Sequence, residues 1–273
     1  VSPPTLMLLD NGSRRPAACL ALRRLAASFG ERIGREVHPV SLQHADRIRL
    51  ERLDGRAART FEAFLKQRLA QGERNFLAVP LFFGAGKAVT GLIPDTVSQL
   101  QVELGDFTLR QSEVLCPLPR GEPRLIEILH DQLLRATAPG MPTRVVLVDH
   151  GSPSPRVTAV RKYLAGGLRE RLGPHVTLAE SVMERRDGPE YDFNGPLLEQ
   201  TLERMGRSDN GDPIALSLLF LAPGRHAGPG GDIEYICRRA QDACPGLRVL
   251  TSPLVGEHPA LLDILETRLH AAL

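Results

Sequence analysis

The chain has 273 residues, 42% hydrophobic and 24% charged, with a formal net charge of +2. That length buries a core comfortably and suits one large domain or two small ones. The near-neutral balance lacks the basic surplus of a nucleic-acid binder, 4% aromatics and no Trp leave no base-stacking platform, and no apolar run nears the roughly 20 residues of a membrane span.

The opening Val1-Ser2-Pro3-Pro4 has neither the basic flank nor the small-residue cleavage site of a signal peptide. Thr5–Asp10 then reads as a short apolar strand running into a polar turn, Asn11-Gly12-Ser13, followed by an amphipathic stretch rich in Ala, Leu and Arg. Val40-Ser-Leu-Gln-His44 follows, then a helical stretch at Phe61–Ala70. A further apolar strand, Val79-Pro-Leu-Phe-Phe, ends in Gly84-Ala-Gly86-Lys87, and a segment with Pro117, Pro123 and Leu125 comes after it. Ala136-Thr-Ala-Pro-Gly-Met-Pro142 reads as a linker.

The same order then repeats. Arg144–Asp149 runs into His150-Gly151-Ser152, His175–Met183 into Glu184, and a helical stretch covers Leu197–Met205. Ser217-Leu-Leu-Phe-Leu ends in Gly224-Arg225-His226, and Pro253, Pro259 and Leu261 echo the earlier proline segment. The three clearest anchors recur at offsets of 139, 138 and 136 residues, in one order. Strands separated by helices predict parallel β-α-β units with right-handed crossovers. The expected fold is therefore α/β: two homologous parallel-sheet halves, residues 1–138 and 139–273, produced by internal duplication and facing a central cleft. Fused halves of this kind predict a pseudo-dimeric monomer.

Ligands of such sheets bind beyond the carboxyl ends of the strands, and there the halves differ. His150 stands where the first half has Asn11, and His226 where it has Ala88 after Gly86-Lys87. Glu184 is a third candidate, with His44 as its expected counterpart, and Glu180 shares its strand face by parity. Two imidazoles and a carboxylate at three strand ends suit a borderline divalent cation such as Co²⁺, Fe²⁺ or Ni²⁺ better than Ca²⁺ or Mg²⁺. Cys19, Cys116, Cys237 and Cys244 show no C-x-x-C spacing, so the thiols are expected free in a reducing cytoplasm. Ser152 beside His150 raises the possibility of a hydrolase, but adjacent residues pair poorly and there is no G-x-S-x-G elbow.

The strand followed by His150-Gly151-Ser152 and the later Leu219-Phe-Leu-Ala-Pro-Gly-Arg-His226 resemble the two signature segments of the class II chelatases, the sirohydrochlorin chelatases of the CbiX, SirB and CbiK type. The resemblance implies two chelatase-like halves, a degenerate one at 1–138 and a working one at 139–273. It implies a lyase that inserts a divalent metal, taken as substrate, into a sirohydrochlorin-like tetrapyrrole for siroheme or cobalamin biosynthesis, with no organic cofactor. His150, His226 and Glu184 would be the metal ligands and catalytic residues, and Arg225, Lys87 and Ser152 would bind the substrate. Arg14, Arg15, Arg156 and Arg185 would add to the cationic rim for its carboxylates. Absence of a G-x-x-x-x-G-K-[ST] loop fits insertion without ATP. A non-catalytic tetrapyrrole or metal carrier is the alternative. Two departures stand out: Asp232 comes about two residues late after His226, through Gly228-Pro-Gly-Gly231, and Arg185–Gly195 looks expanded.

Overall fold

The structure, a computed structural model, describes residues 3–208 and 211–273. The first repeat runs β1 (Thr5–Asp10), α1 (Pro16–Ile33), β2 (Val37–Ser41), α2 (Phe61–Ala70), β3 (Asn75–Pro80), α3 (Ile93–Leu104), β4 (Thr108–Gln111) and α4 (Pro123–Thr137). The second runs β5 (Arg144–Asp149), α5 (Pro155–Leu172), β6 (Thr177–Val182), α6 (Leu198–Arg207), β7 (Ile214–Leu218), α7 (Asp232–Ala243), β8 (Val249–Thr251) and α8 (Leu261–His270). The sheets are ordered β2-β1-β3-β4 and β6-β5-β7-β8, and every pairing is parallel.

Central strands carry the apolar runs because both faces are covered. All six residues of β5 are buried. Val146 and Val148 join Leu198, Leu202, Ile233 and Cys237 in one cluster under α6 and α7. Alternation turns the buried Val145 and Leu147 to the opposite face, where α5 packs on β5 and β6. In the first sheet Met7 and Leu9 play the same part against Phe61, Phe64 and Leu65 of α2. Helices α1 and α5 both have 18 residues and both open on proline, whose fixed φ and missing N–H suit a first helical turn.

Packing and sequence repeat part company near residue 120. One compact unit comprises the chain up to Arg120 with Leu262–Leu273, and the other Gly121–Leu261, whereas the sequence repeats divide at 138/139. Helix α4 belongs to the second unit because Leu125, Ile128, Leu129 and Leu133 form a buried stripe and the helix packs on α5 and β7. Helix α8 belongs almost wholly to the first: its buried Arg268 donates to the carbonyls of Val114 (2.9 Å) and Leu115 (3.0 Å). Among the described residues no helix is long and apolar enough to cross a membrane.

Candidate metal centre

In the second sheet, β6 and β7 flank β5 on opposite sides, so the chain reverses its direction of winding there and leaves a crevice at the strand ends. Three loops enter it. After β5, the N–H of Glu184 donates to the carbonyl of His150 (3.1 Å) and that of Met183 to Asp149 (2.9 Å), extending the β5–β6 register past both strands. Gly151, at φ 89°, lets the turn pass so close that a β-carbon there would lie 1.9 Å from the Glu184 carbonyl oxygen. After β7, the loop through Gly228–Gly231 folds back, and the N–H groups of Asp232 and Ile233 donate to the carbonyls of Arg225 and His226 at 3.1 Å each.

The result is a tight cluster. His150 Nε2 lies 3.0 Å from His226 Nε2 and 3.3 Å from Glu184 Oε1. One ligand atom from each of the three residues falls within 4.8 Å of the others. Metal–imidazole bonds of about 2.1 Å to both Nε2 atoms would subtend about 90° at that separation, an angle suited to five- or six-coordinate geometry. Both Nδ1 atoms have acceptors: the Gly151 carbonyl for His150 (3.1 Å) and Asp232 Oδ2 for His226 (2.8 Å). Protons held on Nδ1 leave both Nε2 lone pairs free for a cation. Burial, and then the charge of His150, hold the His226 imidazole below its usual range, against the opposing pull of Asp232 and Glu184. A neutral, ligand-competent ring is thereby favoured. Side-chain exposures of 49% for His150 and 60% for Glu184 leave the cluster open on one side.

Of the two acids left open by strand parity, Glu184 reaches the histidines, while Glu180 turns to Arg161 at 3.3 Å. The expected counterpart of Glu184 needs correcting. Gln43, and not His44, donates its N–H to the carbonyl of Asn11 (3.2 Å) as Glu184 does to His150, and Gln43 likewise crowds Gly12. His44 lies one residue further on, exposed and at φ 68°. Residues 183–196 make the connection for which the first unit uses 42–59.

The late Asp232 stands beside the candidate ligand His226. It touches both His226 and the exposed Arg225, whose Nε is 3.4 Å away. Ser152 braces its own turn. Its Oγ accepts from the Ser154 N–H (3.1 Å), and its N–H donates to Asn194 Oδ1 (3.0 Å). Lys87 is exposed in the first unit, at the start of a π-helical turn over Ala88–Leu92. Arg14, Arg15 and Arg156 are exposed on the first turns after their strands. Arg185 pairs with Asp192 at 3.0 Å.

Fold and cluster together define a duplicated, doubly wound α/β protein with a metal-ligand constellation at the crevice of one copy. The CbiX family model matches residues 5–136 and again 144–272, and the chain belongs to the CbiX family. Solved structures of similar fold include SirB from Bacillus subtilis with Fe³⁺ (16% identity, TM-score 0.72, covering 99% of this chain and 96% of that one). The sirohydrochlorin chelatase SirB from Bacillus subtilis subspecies spizizenii in complex with cobalt is another (15% identity, TM-score 0.64, 99% and 95%). CbiX, described as the terminal enzyme of siroheme biosynthesis in denitrifying bacteria, is a third (18% identity, TM-score 0.60, 99% and 100%). At these identities the likeness is one of fold. No curated protein sequence matches the chain significantly.

Proposed function

We propose that this chain is a tetrapyrrole metal chelatase, a lyase that places Co²⁺ or Fe²⁺, with Ni²⁺ also within reach of its ligand set, into a sirohydrochlorin-like ring without ATP. The observation that carries the reading is the solvent-open cluster of two Nε2 atoms 3.0 Å apart with a carboxylate beside them. A structural zinc site is closed by four protein ligands, whereas three open ligands suit a cation that must leave again. Family membership and the chelatase activity named for the structural neighbours support the same reading.

Insertion takes in one dication and releases two pyrrole N–H protons. His150 and His226 hold the cation through Nε2, and Glu184 supplies a third ligand. As ring nitrogens displace the protein ligands, each broken metal–imidazole bond frees an Nε2 lone pair where a pyrrole proton is leaving. The imidazoles and the Glu184 carboxylate accept those protons and pass them to water through the open side. Lys87, Arg225 and Ser152 are proposed to bind the substrate, the two cations through its carboxylates.

Anaerobic insertion of Co²⁺ into sirohydrochlorin, followed by absorbance, tests the reading. His150→Ala and His226→Ala should each lose at least about 100-fold in rate, as expected when a metal-bound step loses a ligand. Retained rates, or a wild-type protein that binds both substrates yet leaves insertion at its uncatalysed rate, would overturn it.

A further inference from the structure

The turn that presents His150 is held from beneath by a buried polar strap. Arg161 of α5 is 1% exposed. Its guanidinium donates from Nη1 to Asp149 Oδ1 (2.8 Å), from Nη2 to the carbonyl of Asn194 (2.6 Å) and from Nε to Glu180 Oε2 (3.3 Å). Asp149 Oδ1 also accepts from the Gly151 N–H at 3.0 Å. Asn194, wholly buried, takes the Ser152 N–H on Oδ1 (3.0 Å) and returns Nδ2 to the Ser152 carbonyl (2.9 Å). The residues on both sides of His150 are thus fixed through buried groups, while the imidazole itself stands in solvent. Its orientation toward Glu184 and His226 depends on the backbone beneath it.

The sister repeat supplies the control. Helices α1 and α5 align residue for residue from their opening prolines, which places Leu22, 3% exposed, where α5 has Arg161. The equivalent acid, Asp10, keeps its place at the end of β1, yet its Oδ1 is enclosed with no hydrogen-bond partner among the described residues. The same strand, turn and helix therefore form without the arginine. What the first unit lacks along with it is the histidine: its turn carries Asn11. A buried guanidinium is costly to desolvate, and the sister repeat forms the same strand, turn and helix with an apolar residue in its place.

We propose that Arg161 and Asn194 are positioning residues for the metal centre, fixing the Asp149–Ser152 turn so that His150 Nε2 faces His226 and Glu184. The proposal rests on the chelatase reading and deepens it. Neither residue touches the cation or the ring, so their removal should weaken metal uptake first, and tetrapyrrole binding only through the Ser152 turn that Asn194 holds.

The test uses Arg161→Leu, which copies the sister helix, with Arg161→Lys and Asn194→Ser beside it in the full chain. Circular dichroism reports the fold, the visible bands of bound Co²⁺ report affinity and ligand geometry, and steady-state insertion gives KM and kcat. Arg161→Leu should fold and lose about 10- to 100-fold in Co²⁺ affinity with altered band positions, a loss larger than any rise in tetrapyrrole KM, as expected when the groups behind metal ligands are removed. Arg161→Lys should restore part of the affinity, and Asn194→Ser should weaken it in the same direction. Unchanged Co²⁺ affinity and bands in folded Arg161→Leu and Asn194→Ser would overturn the strap and leave the chelatase reading intact. Failure of Arg161→Leu to fold would also overturn it, since the arginine would then serve the scaffold. A wild-type chain that takes up no Co²⁺ would overturn both.

Discussion

The closest backbone approach at the centre can be used to separate scaffold from chemistry. Gly151 at φ 89° would place a β-carbon 1.9 Å from the Glu184 carbonyl oxygen, and Gly12 at φ 86° would place one 1.8 Å from that of Gln43. The two turns are equivalent in strain. An L-residue at such a φ costs about 1–2 kcal/mol, before any displacement of the facing strand end. Relieving the clash requires the carbonyl to retreat by about 1 Å or more, since ordinary contacts begin near 3 Å. At Gly151 that retreat carries Glu184 away from His150, and a misplacement of about 1 Å can cost about 100-fold in rate. At Gly12 the same retreat moves only Gln43. Gly151→Ala and Gly12→Ala should therefore lose similar stability in thermal unfolding. Only Gly151→Ala should lose Co²⁺ affinity and insertion rate. Equal loss of Co²⁺ affinity in both, or full affinity in a destabilised Gly151→Ala, would refute the claim that this crossing sets the ligand geometry.

Further outcomes follow from individual groups. Burial pushes the Asp10 carboxyl up to about 6, against hydrogen bonds from Ser41 and Gly12, so the fold holds a proton that the unfolded chain releases near pH 4. Stability should fall as pH rises between these values, and Asp10→Asn should gain about 2 kcal/mol on wild type between pH 4.5 and pH 8 in urea unfolding; a flat difference would contradict the buried charge. Asp232→Ala should weaken Co²⁺ binding by about 10-fold or more by releasing His226 Nδ1, with Asp232→Asn recovering part, measured by equilibrium titration. Lys87→Ala and Arg225→Ala should raise the tetrapyrrole KM with little change in kcat, and His44→Ala should keep most of the insertion rate.

Much of the fold was legible because its signals are local. Apolar strands ending in Gly turns, and three anchors in register, announce a repeated parallel α/β unit without any tertiary information. The two histidines were legible because each stands at a strand end where its sister does not. Other features depend on what packs against what. The stripe Leu125–Leu133 says that α4 covers a sheet and not which one, so the repeat boundary at 138 differs from the packing boundary at Gly121. Gln43 rather than His44 answers to Glu184 because the β1–β2 and β5–β6 registers are fixed by pairing, which the sequence spacing does not state. Arg161 reads as one more surface cation of an Arg-rich helix, although its alignment with Leu22 was a signal open to inspection. Asn194 gave none. The displacement of Asp232 is visible in the sequence, but its reach to His226 depends on how Gly228–Gly231 folds back.

The two copies show how little of a parallel α/β unit is committed to chemistry. Between them His150 corresponds to Asn11, Glu184 to Gln43 and Arg161 to Leu22, all on backbones that share the same hydrogen bonds and the same glycine crossing. These exchanges alter side chains and leave the turn alone. The loop after the third strand is different. In the first unit Ala88 enters a π-helical turn that leads into α3, whereas in the second His226 sits before a glycine-rich fold-back that delivers Asp232 to its Nδ1. An imidazole at position 88 would stand on a helical turn, without a carboxylate returned to it by such a loop. The proposed ligand pair thus depends on two kinds of change: substitutions on a common frame around His150, and a rebuilt loop around His226. The second is the harder to read in sequence, because four residues of Gly and Pro state that the chain turns but not where it returns.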